Sequence, residues 1–138
     1  MSERNFKLEV ITPDRVVCSN DHVASVVAPG VEGYLGALAN RAPLVTELDT
    51  GEIDFRKPDG DWEYIAVSGG FMEIFENKVT ILAESAELFT EIDIARAERA
   101  RDRAQERIAS HASEIDIDRA QAALRRALTR LHVVSRKG

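Results

Sequence analysis

The chain has a single cysteine, Cys18, which excludes an internal disulfide and fits a reducing compartment. Cys18 follows a β-branched pair and reads as a small, mostly buried strand residue rather than a reactive thiol. No apolar run approaches the ~18 residues of a membrane span, and the start, Met1-Ser2-Glu3-Arg4-Asn5, carries no apolar leader. The expectation is a cytoplasmic polypeptide with no direct membrane insertion, attached peripherally if at all. There is no glycine-rich loop followed by Lys-Ser or Lys-Thr, so P-loop nucleotidase chemistry is excluded. Ser68-Gly69-Gly70 lacks the flanks of a nucleophile elbow. His22, His111 and His132 have neither the spacing nor the carboxylate neighbours of a metal site. No residue pattern points to catalysis, and a non-catalytic role is expected.

At 138 residues the chain makes one ordinary domain, or a small domain with an appendage, and its 44% hydrophobic content suffices for a core. A net charge of −6 argues against nucleic acid as a partner. That total hides a division. Residues 1–90 carry seven Lys/Arg against sixteen Asp/Glu, whereas residues 91–138 carry eleven against eight. The front is acidic and the tail basic, so the tail could dock on its own front or on an acidic partner. The tail has no aromatic residue to stack a base, which also weighs against a nucleic-acid-binding hairpin.

The front reads in period two. Phe6, Leu8 and Val10 alternate with Lys7 and Glu9 until Thr12-Pro13-Asp14 interrupts. Val16 to Cys18 and Val23 to Ala28 are further runs, the second closed by Pro29-Gly30. Gly33 and Gly36 read as turn glycines. Ile53 and Phe55 face one way and Glu52 and Asp54 the other. Lys57-Pro58-Asp59-Gly60-Asp61 is a turn before Trp62 to Val67. Ser68-Gly69-Gly70 divides that run from Phe71 to Phe75, and Glu76-Asn77-Lys78 turns into Val79 to Ala83. Many short strands imply an antiparallel β-sandwich or barrel over residues 1–87.

Residues 88–138 change texture. Ile92-Asp93-Ile94-Ala95-Arg96-Ala97 and Ile115-Asp116-Ile117-Asp118-Arg119-Ala120 each read as a helix start, with Asp as the N-cap and the Ile before it able to staple onto the Ala four residues after the cap. The apolar stripes are Ala97, Ala100, Ala104 and Ile108, then Ala120, Ala123, Leu124, Ala127, Leu128 and Leu131. A link around His111-Ala112-Ser113 makes an antiparallel two-helix hairpin. With mostly alanine to bury, the first helix is weakly held. Arg96, Arg99, Arg103 and Arg107 form one stripe, and Arg119, Arg126 and Arg130 another. In both helices the stripe lies a quarter turn from the apolar face, in the same rotational sense, so both emerge on one broad surface of the hairpin. Such a surface suits an anion or an acidic partner. Exposed helices also carry arginine for solubility and for local pairs such as Arg99–Asp102 and Arg103–Glu106, so a solvated face stays open as well.

Over its full length the chain resembles the epsilon-subunit family of bacterial F-type ATP synthases. The resemblance is carried by Gly33-Tyr34-Leu35-Gly36, Ala42-Pro43-Leu44, Leu48-Asp49-Thr50-Gly51-Glu52-Ile53, Ser68-Gly69-Gly70-Phe71-Met72-Glu73 and Val79-Thr80-Ile81-Leu82-Ala83, in that order, continuing into the hairpin. It implies a β-sandwich with a two-helix tail, working in a rotor at the cytoplasmic face of the bacterial inner membrane. The sandwich would sit on the gamma subunit and touch the c-subunit ring. Proton-driven rotation would then be coupled to ATP synthesis in the head of alpha and beta subunits. The tail would rise into that head to brake ATP hydrolysis, or fold down beside the sandwich. No cofactor is required, but some relatives bind ATP as a regulatory ligand on the folded-down tail. Their motif falls on Ile92, Asp93, Arg96 and Ala97, with further contacts on Glu87, Arg103, Arg126 and Arg130. A loop with Glu32 and Arg41 would face the c ring; Arg41 stands where the family usually has His. The connector Leu88-Phe89-Thr90-Glu91 lacks the proline of some ATP-binding members.

Overall fold

The computed structural model describes residues 4–110 and 113–137. The expected link at His111-Ala112, the start Met1-Ser2-Glu3 and the side chain of Ile115 lie outside the described residues. The front forms eight strands: β1 (Phe6–Ile11), β2 (Val16–Val23), β3 (Ser25–Gly30), β4 (Gly33–Leu38), β5 (Leu44–Arg56), β6 (Trp62–Phe75), β7 (Lys78–Ala83) and β8 (Ala86–Leu88). A 3-10 turn, Phe89–Glu91, leads into helices α1 (Ile94–Ala109) and α2 (Glu114–Ser135). Strand order is β2-β1-β7-β6-β5-β3-β4, with β8 added to β6. The expected alternation holds in β1, where Phe6, Leu8 and Val10 are buried, and in β5, where Ile53 and Phe55 enter the same core.

The sandwich is not wholly antiparallel. β1 runs parallel to β7, with Leu8 opposite Val79 and Val10 opposite Ile81. Alternation reports which side chains are buried, and it is silent on the direction of a partner that arrives late in the chain. Two expected breaks are also absent. Ser68-Gly69-Gly70 lies within one 14-residue strand. Gly69 and Gly70 adopt φ of 75° and 131°, which bends β6 without ending it. Before the bend β6 pairs with β8, and from Gly70 onward it pairs with β7, so one strand serves both layers. Gly33 is a turn glycine, with φ 128°, but Gly36 sits within β4 opposite Val27. Cys18 lies on β2, half-buried against the core, and burial pushes its thiol up to about 11.

Asp93 caps α1 as expected, its Oδ1 accepting from the Arg96 amide at 3.0 Å. The second copy of the pattern behaves differently. Ser113 is the cap of α2, its Oγ accepting from the Asp116 amide at 3.4 Å, and Asp116 stands inside the first turn. An earlier hydroxyl has taken the capping position, and an acidic first turn still suits the helix dipole. α1 packs on α2, and α2 lies across β5 and β6. The buried residues of α1 are Ala97 and Ala104. At about 0.8 kcal/mol per buried CH₂, two alanines hold α1 weakly. On α2, Ala120, Ala127 and Val133 are buried, whereas Leu128, expected in the stripe, is 46% exposed. A small second core pins the hairpin's base. Ile92 and Val133 pack with Ala66 of β6, flanked by Tyr64, Phe89 and Val134.

Candidate functional site

The folded-down hairpin and the sandwich enclose a cavity of about 610 Å³. Its wall is Ser85 and Glu87 from the end of the sandwich, Glu91 from the 3-10 turn, the cap Asp93, Arg96, Ala97, Arg99, Ala100 and Arg103 of α1, and Arg130 of α2. The volume falls in the range of small-ligand sites. Six of the eight expected contact residues therefore meet on one cavity: Glu87, Asp93, Arg96, Ala97, Arg103 and Arg130. Arg126 lines an adjoining recess that shares Ser85 and Arg130 with the main cavity. Ile92 does not line it and instead holds the connector through the second core. Arg107 and Arg119, also in the stripes, line neither space.

Ion pairing divides the arginines. Arg130 donates through Nε to Oε1 of Glu87 in a short contact. Among the described residues no ion pair involves Arg96, Arg99, Arg103 or Arg126, while Asp102 pairs with Arg101 rather than with Arg99. Three guanidinium groups on α1 thus line the cavity with no ion-pair partner among the described residues. Guanidinium forks match phosphate oxygens, and low local dielectric strengthens the attraction. Glu87 and Asp93 are acceptors only when ionised. Asp93 already accepts from the helix it caps, and Glu87 from Arg130.

Glu91 was not legible as a site residue. Arg15, at the start of the β2 hairpin arm, grips it with two hydrogen bonds of 2.8 Å. That bond from Arg15 holds the Glu91 carboxyl below the usual carboxylate range, and its Oε1 also accepts from the Leu88 amide at 3.0 Å. The partners are 76 residues apart, so no local pattern announces them. The grip neutralises a carboxylate that would otherwise repel an anion in the cavity. Glu32 and Arg41 lie away from the cavity, beside β4. Glu32 is exposed, and Arg41 donates through Nη1 to the Gly36 carbonyl at 2.8 Å. Among the described residues no cluster of His, Cys, Asp and Glu could hold a metal ion, and no helix is long and apolar enough to cross a membrane.

Comparison with known proteins agrees with both halves of the fold. Residues 5–89 match the family model of the ATP synthase delta/epsilon chain beta-sandwich domain, and residues 90–135 match that of its long alpha-helix domain. The ATP synthase epsilon chain of Moorella thermoacetica is 47% identical over 127 residues, covering 92% of this chain and 94% of that relative. That of Carboxydothermus hydrogenoformans is 55% identical over 104 residues, covering 75% and 76%. A chain of the Euglena gracilis mitochondrial ATP synthase OSCP/F1/c-ring assembly shares the fold with a TM-score of 0.82 at 21% identity, covering 95% of this chain and 82% of that one. A chain of the Tetrahymena thermophila central stalk/c-ring assembly has a TM-score of 0.64 at 13% identity, covering 97% and 99%. With both of its parts matched along nearly their whole length, the chain belongs to the delta/epsilon chain family of ATP synthase subunits.

Proposed function

We propose that this chain is a non-catalytic rotor subunit of an F-type ATP synthase, and that its hairpin brakes ATP hydrolysis and senses ATP. The sandwich is the foot. It binds the gamma subunit and the c ring, with the Glu32 and Arg41 loop turned toward the ring, and so transmits ion-driven rotation to ATP synthesis. Similarity to subunits of central-stalk and c-ring assemblies supports this placement. The complex would stand at the cytoplasmic face of the bacterial inner membrane, with this chain attached through its protein partners alone. The hairpin, released from the sandwich, would carry its arginines to acidic segments of the alpha and beta subunits.

The observation that carries the ATP reading is the cavity between hairpin and sandwich, lined by Arg96, Arg99 and Arg103, none of which forms an ion pair among the described residues. In this reading Arg96, Arg103 and Arg126 hold the polyphosphate. Glu87 accepts from the exocyclic amine of the base, with Arg130 freed to join the phosphates. ATP then favours the folded-down state because the site does not exist in the other, which is the differential binding any ligand switch needs. At a hundredfold excess over the dissociation constant the ligand would add about 2.7 kcal/mol of stability. Thermal melting of the full chain should rise with ATP, and Arg103→Ala or Arg126→Ala should abolish the rise. Absence of any shift at millimolar ATP would retire the site.

A second expectation concerns the complex. Removing residues 91–138 should leave assembly intact, because the sandwich core takes nothing from the helices, and should raise ATP hydrolysis severalfold. Failure of the shortened chain to assemble would contradict the division between foot and brake.

A further inference from the structure

On the outer face of β5, Glu52 and Asp54 point away from the core, yet Glu52 is only 7% exposed. The last turn of α2 covers the pair. Oε1 of Glu52 lies 2.9 Å from Nε2 of His132, and Oε2 accepts from Nε of Arg136 at 3.0 Å. The same guanidinium donates through Nη2 to Oδ2 of Asp54 at 3.2 Å and rests 5.4 Å from the centre of the Tyr64 ring. The other oxygen of Asp54, Oδ1, is buried without a donor.

The charges around this pair do not balance on their own. Two carboxyl groups share one permanent cation, Arg136. Lys137, next in the chain, is occupied by Asp61 at 3.2 Å and Glu63 at 2.9 Å. Arg56 follows on the same strand and makes no ion pair with either carboxyl among the described residues. β6 places Ala66 opposite Glu52 and Tyr64 opposite Asp54, and β3 places Val27 opposite Asp54. From β4, the Tyr34 hydroxyl accepts from the Glu52 amide at 3.3 Å. A second buried negative charge here has no counter-ion except a proton.

We propose that Glu52, Asp54, His132 and Arg136 form a proton-operated latch: a proton held by the carboxyl pair seats the end of α2 on β5, and its loss loosens the hairpin. Asp54 is the holder. Burial, then the hydrogen bond to Glu52 and its charge, push it up to about 7, with Arg136 opposing. Burial also acts to raise Glu52, but its hydrogen bonds to Asp54 and Arg136 and the nearby positive charge leave it below its ordinary value. Lifting the hairpin would expose Asp54 and return it toward the ordinary 3.8. The seated form therefore binds the proton more tightly. Its advantage is complete below about pH 4, erodes as pH rises, and is gone above about pH 7, where both forms are ionised. The latch does not depend on nucleotide binding.

Val133 is fully buried against Ala66 and Ile92 only while the hairpin is seated, so its methyl resonances report docking in the full chain. Relative to the seated form, the released population should rise about tenfold between pH 6 and pH 8, as expected for one proton held at about 7. Asp54→Asn should flatten that profile with the hairpin seated throughout. Arg136→Gln should release the hairpin while the Ile53 and Ile81 methyls keep their sandwich positions. A wild-type population indifferent to pH would overturn the proposal, as would an Asp54→Asn profile as steep as the wild type.

Discussion

Replacing Ile53 with aspartate should unfold the sandwich. Ile53 is fully buried in β5, opposite Ile65 in the long ladder that joins the two layers. Loss of the isoleucine alone costs about 2–5 kcal/mol in a packed core. The carboxylate must in addition enter that core without a partner or take up a proton to do so, for several kcal/mol more. The total rivals the whole stability of a typical domain, about 5–15 kcal/mol. Circular dichroism of Ile53→Asp at 25 °C should lack the cooperative melt of the parent chain. An unchanged curve would mean that β5 presents its other face inward. The cost falls on the sandwich, so the variant should also fail to join its complex, unlike the chain shortened at residue 91.

Gly70→Ala should be nearly as severe, for a backbone reason. A Cβ there would stand 2.1 Å from the Leu82 carbonyl oxygen and 2.8 Å from the Ala83 Cα, both main-chain atoms of β7. The φ of 131° is itself closed to alanine. Relief requires parting the ladder that runs from Gly70 opposite Ala83 to Phe75 opposite Lys78. A loss of about 3 kcal/mol or more is expected in urea unfolding. Gly60→Ala separates strain from collision. Its φ is 93°, but nothing lies within 4 Å of the added carbon, so the cost should stay near 1 kcal/mol. Equal losses at the two glycines would show that the contact with β7 yields readily.

The two textures of the chain, period two and then helical period, were legible because each face is buried on one side only. Ile53 and Phe55 enter the core as their alternation with Glu52 and Asp54 requires. What alternation could not convey is what covers the other face. Glu52 looked like a solvent residue, and it is buried because Arg136, 84 residues away, lands on it. The same distance hides the Arg15 grip on Glu91. Gly69 and Gly70 read as a break because glycine marks both ends and bends of strands, and only the pairing of β6 on each side tells the two apart. The α1 stripe gave three arginines of the cavity wall, Arg96, Arg99 and Arg103, since residues three or four apart on a helix share a face, while Arg107 lies beyond it. The α2 stripe was legible only in part: Arg130 reaches the cavity, while Arg119 does not. The cap of α2 was misplaced because Ser113 and Asp116 both qualify by residue type, and type alone does not choose between them.

The pairing of β1 with β7 also bears on how the chain acquires its shape. The first strand cannot close its register until the last long strand of the sandwich exists, as the Asn77 side-chain amide donating through Nδ2 to the Asn5 carbonyl, 72 residues away, illustrates. Topologies dominated by such distant partners fold slowly. A nascent chain that has not yet reached β7 therefore holds its first hairpin as an unfinished edge, open to other strands. By contrast, the helical tail needs only its neighbours in sequence to form. The tail can coil as soon as it is made, but it has nothing to rest on until the sandwich beneath it is complete.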